Sequence, residues 1–541
     1  MQLLNKLQKD YSQNQSGYQL KLPLNIETII PDNDSVRLLS QFVEAMDLTD
    51  LYSTYERIRE NSVSPRTLLK IVLYSYMNGV YSSRSMELNC KRDINFMFLL
   101  EGAKAPDHAT FARFRSIHFA PCSKRILAEM SNALFDLGEI SGETIFIDGT
   151  KIESGANKYT FVWKKAVTKN QGKLLMKLAD FVAECEQLYD IKTVYGNTIK
   201  IKHVKRLRKK LYALKASENV VFVHGAGKCK TPLQKSIETL EDYLGRLKKY
   251  NQQVHICGER NSYSKTDHDA TFMRMKEDAM GNGQLKPAYN LQHGVDSEYI
   301  TWLTIGAQPT DTTTLIPFLK DAEQHLKFKY KNITADAGYE SEENYLFLES
   351  NGQLAYIKPA NYEISKTRKY RNDIGRIENM AYDSESDSYT CKNGRKLTAD
   401  HIRHSKSRTG YVSEKTIYKC EGCQGCTCKR ECIKGNHCKT PIEERTKTLQ
   451  VAKTFLKHRK EDLERILSED GILFRTNRSI QAEGSFGDLK QDMMFRRYLS
   501  KGASNVLAES TLLAMARNIN KLHNKIQNNR TGTHLFPIKS A

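Results

Sequence analysis

A chain of 541 residues is long enough for roughly two to four domains and a sizeable core. Lys and Arg outnumber Asp and Glu by 83 to 63, a net charge of +20, and a surplus of that size favours a polyanionic partner because neutralised phosphates release counterions. No stretch approaches the roughly 18 apolar residues of a membrane span and no short apolar leader opens the chain, so we expect no membrane partner and a cytoplasmic, nucleoid-associated protein.

The first 60 residues open with a polar stretch and continue into an amphipathic segment, Val36 to Met46. Ser64-Pro65-Arg66-Thr67 predicts a helix start, with Ser as cap and Pro at the first position. That helix runs through Leu68, Leu69, Val72, Leu73 and Tyr76 and breaks at Asn78-Gly79. A second helix is expected after Ser82-Ser83 and a third from Pro106 to Arg115. Short helices with Gly-containing turns and basic faces suit a helix-turn-helix unit, and they suit an all-helical packing domain equally well. We assign 1–135 to a helical N-terminal domain for DNA binding or dimerisation.

Ile145-Phe146-Ile147-Asp148-Gly149-Thr150 predicts a buried strand that delivers a carboxylate at or near its C-terminal end. Beyond it the chain turns strongly charged and helical. Leu174, Leu178, Phe181, Cys185 and Leu188 recur at helical spacing, as do Val204, Leu207, Leu211 and Leu214, and then Leu233 to Leu247. This helical insertion, 166–259, has basic outer faces such as Lys205-Arg206-Leu207-Arg208-Lys209-Lys210, which read either as solvated faces or as a track along a DNA backbone.

From about residue 286 the alternation becomes strand-like, at Ala288 to Gln292 and Tyr299 to Ile305. Thr312 to Leu326 reads as helix. A second strand carrying an acid follows, Ile333-Thr334-Ala335-Asp336-Ala337-Gly338-Tyr339, then helix from Glu342 and strand from Leu354 to Ile357. The economical architecture is α/β, a mixed sheet flanked by helices built from 140–165 and 260–360. A cysteine-rich insertion, 361–445, interrupts it before the helices of 446–525 complete the core, and a flexible tail spans 526–541.

A third acid, Glu483, lies in a helical segment, Arg478-Ser-Ile-Gln-Ala-Glu483-Gly-Ser-Phe-Gly-Asp-Leu-Lys490. Three acids converging from distant segments form a hard, oxygen-only pocket for divalent metal, and the substrate that suits such a pocket on a basic chain is a phosphodiester. Two Mg²⁺ or Mn²⁺ ions about 4 Å apart would activate the attacking oxygen and stabilise the leaving one. Lys490, seven residues after Glu483, falls two turns on and on the same face, where it could meet the scissile phosphate. Asp267, Asp269 and Asp296 rank below the three because they lie in or beside expected loops.

Ile147-Asp148-Gly149-Thr150-Lys151, with Asn157-Lys158-Tyr159 and Trp163 downstream, resembles the first catalytic block of bacterial insertion-sequence DDE transposases. Asp336-Ala337-Gly338-Tyr339 resembles the second block, and Glu483-Gly-Ser-Phe486-Gly487-Asp-Leu-Lys490 with Phe495-Arg496-Arg497 and Gly502 resembles the third. Ser264 to Met275 and Tyr289-Asn290-Leu291-Gln292 are similar to the group called eleven-eighty-two, and Ser64 to Arg115 to its helical N-terminal domain. The resemblance spans about residues 35 to 525.

It implies an RNase H-like fold, a metal-binding triad of Asp148, Asp336 and Glu483, and contacts to double-stranded DNA from Lys490, Arg478, Arg496 and Arg497. It further implies binding of terminal inverted repeats, hydrolysis at the transposon end, attack of the freed 3′-OH on target DNA, and a homodimer on DNA. The alternatives are an RNase H-like nuclease without strand transfer, or a DNA-binding regulator with an inactive catalytic fold. One departure stands out. The related signature places an Arg four residues before the Glu, whereas Arg478 is five before Glu483. On a straight helix that turns it about 140° away, which argues against a phosphate role unless Arg478 precedes the helix proper.

Seven of the twelve cysteines crowd between Cys391 and Cys438. Cys420, Cys423, Cys426 and Cys432 could hold one tetrahedral Zn²⁺, with Cys391, Cys438 and His437 as alternates. A Cys-x2-Cys-x2-Cys run also fits iron–sulfur ligation, or unliganded thiols. In each case the segment is expected to be structural or DNA-contacting.

Overall fold

The computed structural model describes residues 26–57, 62–196, 198–225, 227–275, 283–435, 438 and 440–538. The polar stretch before residue 26, His437 and the last three residues of the tail lie outside the described residues.

Helices begin where the capping chemistry directs. Asp34 caps α1 (Ser35–Ala45), and Ser64 Oγ accepts from the Thr67 N–H at 3.0 Å to open α2 (Pro65–Met77) with Pro65 in its first turn. Short helices capped by Ser82 and Asp107 follow, and then α3 (Ala120–Asp136). Every residue of α2 from Leu68 to Met77 is buried, including Lys70, which is held by Glu44 at 2.6 Å. A helix enclosed on all faces cannot enter a DNA groove. One continuous apolar core joins these helices to the central sheet.

The sheet is built from β1 (Thr144–Glu153), β4 (Thr271–Arg274), β5 (Leu285–Asp296), β6 (Tyr299–Gly306), β7 (Asn332–Ala335) and β8 (Leu354–Ile357). Its order is β6-β5-β1-β7-β8, with β4 also pairing β5. The pairs β6–β5 and β5–β1 are antiparallel, whereas β1–β7 and β7–β8 are parallel. That succession is the RNase H-like mixed sheet. The helices α7 (Leu315–His325) and α8 (Glu342–Ser350) connect its later strands. Gly294 on β5 lets α7 lie close, because a Cβ there would stand 2.6 Å from Phe318.

Between β1 and β4 the chain forms a two-stranded ribbon, β2 (Phe161–Trp163) and β3 (Ser262–Ser264), and three helices, α4 (Lys164–Tyr189), α5 (Ile201–Ser217) and α6 (Pro232–Cys257). The helices bury Leu174, Leu178, Leu207, Leu211, Leu240 and Leu244 in a core of their own, as their spacing predicts. After β8 a second sheet runs in the order β13-β12-β11-β10-β9, where β9 is Ala381–Asp383, β10 Ser388–Thr390, β11 Lys396–Lys406, β12 Val412–Cys420 and β13 Thr448–Val451. Then come α9 (Lys453–Leu467), α10 (Glu469–Arg478) and, past the Glu483 segment, α11 (Ala503–Gln527). Among the described residues no helix is long and apolar enough to cross a membrane.

Candidate active site

The parallel ladder between β1 and β7 ends at Ile147 opposite Ala335, so Asp148 and Asp336 are the next residues on two adjacent strands. Asp148 differs from the expectation in one respect. It sits midway along a ten-residue strand, because β1 continues against β5, where Asp148 faces His293. What ends at Asp148 is the parallel pairing, and the effect is the one a strand terminus would have: one edge of the backbone is left open. Asp148 is 7% exposed. Asp336 leaves its strand and accepts from the Gly338 N–H at 2.8 Å, which caps a short 3₁₀ turn and fixes the carboxylate locally.

Glu483 reaches the same pocket from a helix of unusual form. Asp148, Asp336, Glu483, Arg478 and Lys490 line one pocket, with Phe486 also in its lining. Arg478 corrects the sequence reading. It ends α10, and the chain runs on without a break into a π-helical turn, Ser479–Glu483. Hydrogen bonds from i to i+5 widen that turn, so residues five apart come onto one face, and such bulges concentrate at functional sites. Arg478 Nη2 therefore donates to Glu483 Oε1 at 2.7 Å, and Ser479 Oγ donates to Oε2 at 3.1 Å. A second π turn, Asp488–Asp492, carries Lys490. Arg478 neither points away nor precedes the helix.

His293 docks this helix onto the sheet. Its ring stacks on Phe486 with centroids 4.4 Å apart, and Nδ1 lies 3.1 Å from Ser485 Oγ. Burial, aided by nearby Arg517, pushes its pKa down to about 3, so the ring is neutral. Farther along, buried Arg517 pairs with Asp488 at 2.7 Å and donates to the Glu298 carbonyl, tying the helix to α11 and the sheet.

The sequence reading missed Asp311. Its carboxylate accepts from Asn290 Nδ2 at 2.7 Å and Gln292 Nε2 at 2.9 Å, and Gln292 Oε1 in turn accepts from the Tyr339 hydroxyl. The network explains the glycines beside the acids. A Cβ on Gly149 would stand 2.4 Å from Gln292 Nε2 and 2.8 Å from Asp311 Oδ1, and one on Gly338 would stand 3.0 Å from Asp336 Oδ1. Burial, with Asp311, Asp148 and Asp336 nearby, pushes the Tyr339 hydroxyl well up, so it serves as a donor. The available signal was Asn290 and Gln292 alternating on a buried strand, two amides on one face that require partners.

The remaining candidates lie elsewhere. Arg497 donates to the Ser154 and Ala156 carbonyls at 3.0 and 2.8 Å, bracing the chain after β1, and neither it nor exposed Arg496 lines the pocket. Asp267 accepts from Ser154 and Tyr289, Asp269 accepts from the Ala503 N–H at the start of α11, and Asp296 accepts from Ser141 and the Gly142 N–H. All three carboxylates are engaged in hydrogen bonds within the fold. Cys420, Cys391, Cys423 and Cys432 pack in the apolar cluster of the second sheet, and Cys426 accepts weakly from Asn393. Burial pushes the Cys420 and Cys432 thiols up. Among the described residues no group of three or more His, Cys, Asp or Glu is placed to hold a metal ion. Cys420, Cys423 and Cys432 of the expected set lie in one cluster with Cys391, and Glu483 is turned toward Arg478.

An RNase H-like sheet that gathers carboxylates, an arginine and a lysine into one pocket defines the class as an α/β nuclease or transposase. Comparison with protein families narrows it. Residues 390–523 match the family model described as a transposase DDE domain, and residues 24–116 match the one described as a transposase domain (DUF772). Together they are consistent with an insertion-sequence DDE transposase, an enzyme of transposition that acts on DNA. The first match contains Arg478, Glu483 and Lys490; Asp148 and Asp336 lie outside both. No curated protein and no solved structure gives a match.

Proposed function

We propose that this chain binds the terminal inverted repeats of an insertion sequence, cleaves DNA at the ends and joins the freed 3′-OH to target DNA. The observation that carries the reading is the convergence of Asp148, Asp336 and Glu483 on one pocket together with Arg478 and Lys490. Oxygen-only carboxylates suit Mg²⁺ or Mn²⁺, which needs few protein ligands, and these three would hold two ions once Glu483 swings off Arg478. When bound, the metal supplies Lewis-acid polarisation of the phosphate and a more acidic attacking water.

The protein's own side chains have separate tasks. Asp148 and Asp336, each one residue beyond the parallel ladder, would supply the oxygens that hold the metal for the phosphate. Lys490 places a point charge at the phosphate, and Arg478 offers a planar fork to a nonbridging oxygen when released by Glu483. In the first reaction a water oxygen bonds to phosphorus and the P–O3′ bond breaks, leaving a 3′-OH on the transposon end. In the second that hydroxyl bonds to a target phosphorus, and the departing target strand keeps its own 3′-OH. A homodimer would bring two ends together for joining.

Strand transfer with pre-cleaved transposon ends tests the reading. Joined product in Mg²⁺ or Mn²⁺ supports it. Cleavage without joining gives the simple nuclease, and binding with neither reaction gives the inactive regulator. Asp148→Ala, Asp336→Ala and Glu483→Ala should each abolish cleavage while duplex binding persists; full activity in any one removes that acid from the triad.

A further inference from the structure

We propose that the outer face of α4 is a docking surface for the backbone of double-stranded DNA, formed by Lys165, Lys169, Lys173 and Lys177. The proposal rests on the reading that the chain acts on DNA, and it assigns part of that contact to the helical insertion.

The four lysines recur every fourth residue and all are exposed. They lie opposite the buried row of Val167, Leu174, Leu178 and Val182, so they form one slanting line on the solvent side. Twelve residues of helix rise about 18 Å, close to the axial length of five base pairs. Among the described residues none of the four makes an ion pair. Like charges four residues apart repel across a helix surface. Lys165 also lies in the first turn, where the helix dipole disfavours a cation. A row of like charges that works against its own helix is explained by an external polyanion.

Position supports the choice of α4. It starts directly after β2, and β2 follows β1, the strand that bears Asp148, by a short connection. The insertion that carries α4 thus branches from the strand that bears the first acid. The basic run on α5 is different in kind. There Arg208 faces Glu241 at 3.8 Å and Lys210 donates to the Lys192 carbonyl at 2.6 Å, so part of the run is engaged within the insertion itself.

The test uses the full chain and a labelled mixed-sequence duplex, with affinity measured across a salt series. In K165Q/K169Q/K173Q/K177Q the slope of log affinity against log salt should become shallower by about 3 to 4, at roughly 0.9 per lost phosphate contact. The four-arginine variant should keep the wild-type slope. A charge-matched control on α5, K202Q/K205Q/R206Q/K209Q, should leave the slope unchanged. An unchanged slope in the α4 glutamine variant overturns the proposal, and so does an equal drop in the α5 control, which would reduce the effect to net charge. Because the assay reads binding alone, a wild-type chain that makes no joined product but shows these slopes defeats the strand-transfer reading and leaves this one standing.

Discussion

Arg478 Nη2 meets Glu483 Oε1 at 2.7 Å across five residues of a helix that widens between them. The pair gives Glu483 a definite resting position and keeps a guanidinium at the mouth of the carboxylate pocket. If the arginine serves the reaction, Arg478→Ala should slow single-turnover cleavage by about 10²-fold, the scale of losing one charged donor at a developing oxyanion. Arg478→Lys should recover only part, because an ammonium lacks the fork. A wild-type rate in Arg478→Ala would reduce the pair to a surface contact.

Gly149 lies against the amide and carboxylate of the Gln292–Asp311 pair. Neither atom can retreat without breaking its bond. Gly149→Ala should therefore destabilise the chain by about 1–3 kcal/mol in chemical denaturation, the usual cost of overpacking. Gly149→Ala/Gln292→Ala should recover part of that loss in a double-mutant cycle, since the shorter side chain vacates the contact.

His293 makes stability depend on acidity. Its folded pKa, pushed down to about 3, lies below the ordinary value near 6.5. Above 6.5 both states are neutral and the contribution is complete; as the pH falls from 6.5 toward 3 the unfolded chain takes up a proton that the buried ring refuses, and stability is lost. His293→Phe keeps an aromatic ring against Phe486 but cannot titrate. Between pH 7.5 and 5 the wild type should lose about 2 kcal/mol more than this variant, at 1.36 kcal/mol per pH unit below 6.5. Parallel pH curves for the two proteins would remove His293 from the account.

Metal should act through the strand-borne acids. Saturating Mg²⁺ or Mn²⁺ should raise the melting temperature of the wild type, by an amount equivalent to about 2.7 kcal/mol at a hundredfold excess over Kd. Asp148→Asn and Asp336→Asn should each lose most of the rise when ionic strength is matched with NaCl. A full rise in both variants would locate the ion elsewhere.

Much of the architecture is legible from local chemistry. Ser64, Ser82 and Asp107 announce their helices because an N-cap satisfies backbone donors within three residues, and the apolar alternation around Tyr289 and Tyr299 becomes two strands because one period matches one pleat. The heptad-like leucines of the insertion likewise find each other in a separate core. Asp311 escaped because it stands in a turn with no periodic pattern, and its partners are 19 and 21 residues away. The burial of α2 rests partly on α11, more than 400 residues downstream, which no local pattern announces.

The sequence by itself singled out the three acids, two at the end of apolar runs and all three in short motifs that resemble the transposase blocks. Only the tertiary structure decided how they meet. Parallel pairing of β1 with β7 puts Asp148 beside Asp336, and a π turn rotates Arg478 onto the face of Glu483. Ladder register and helix pitch are set by packing between distant segments, here through His293, Phe486 and Arg517, so residue spacing alone cannot supply them.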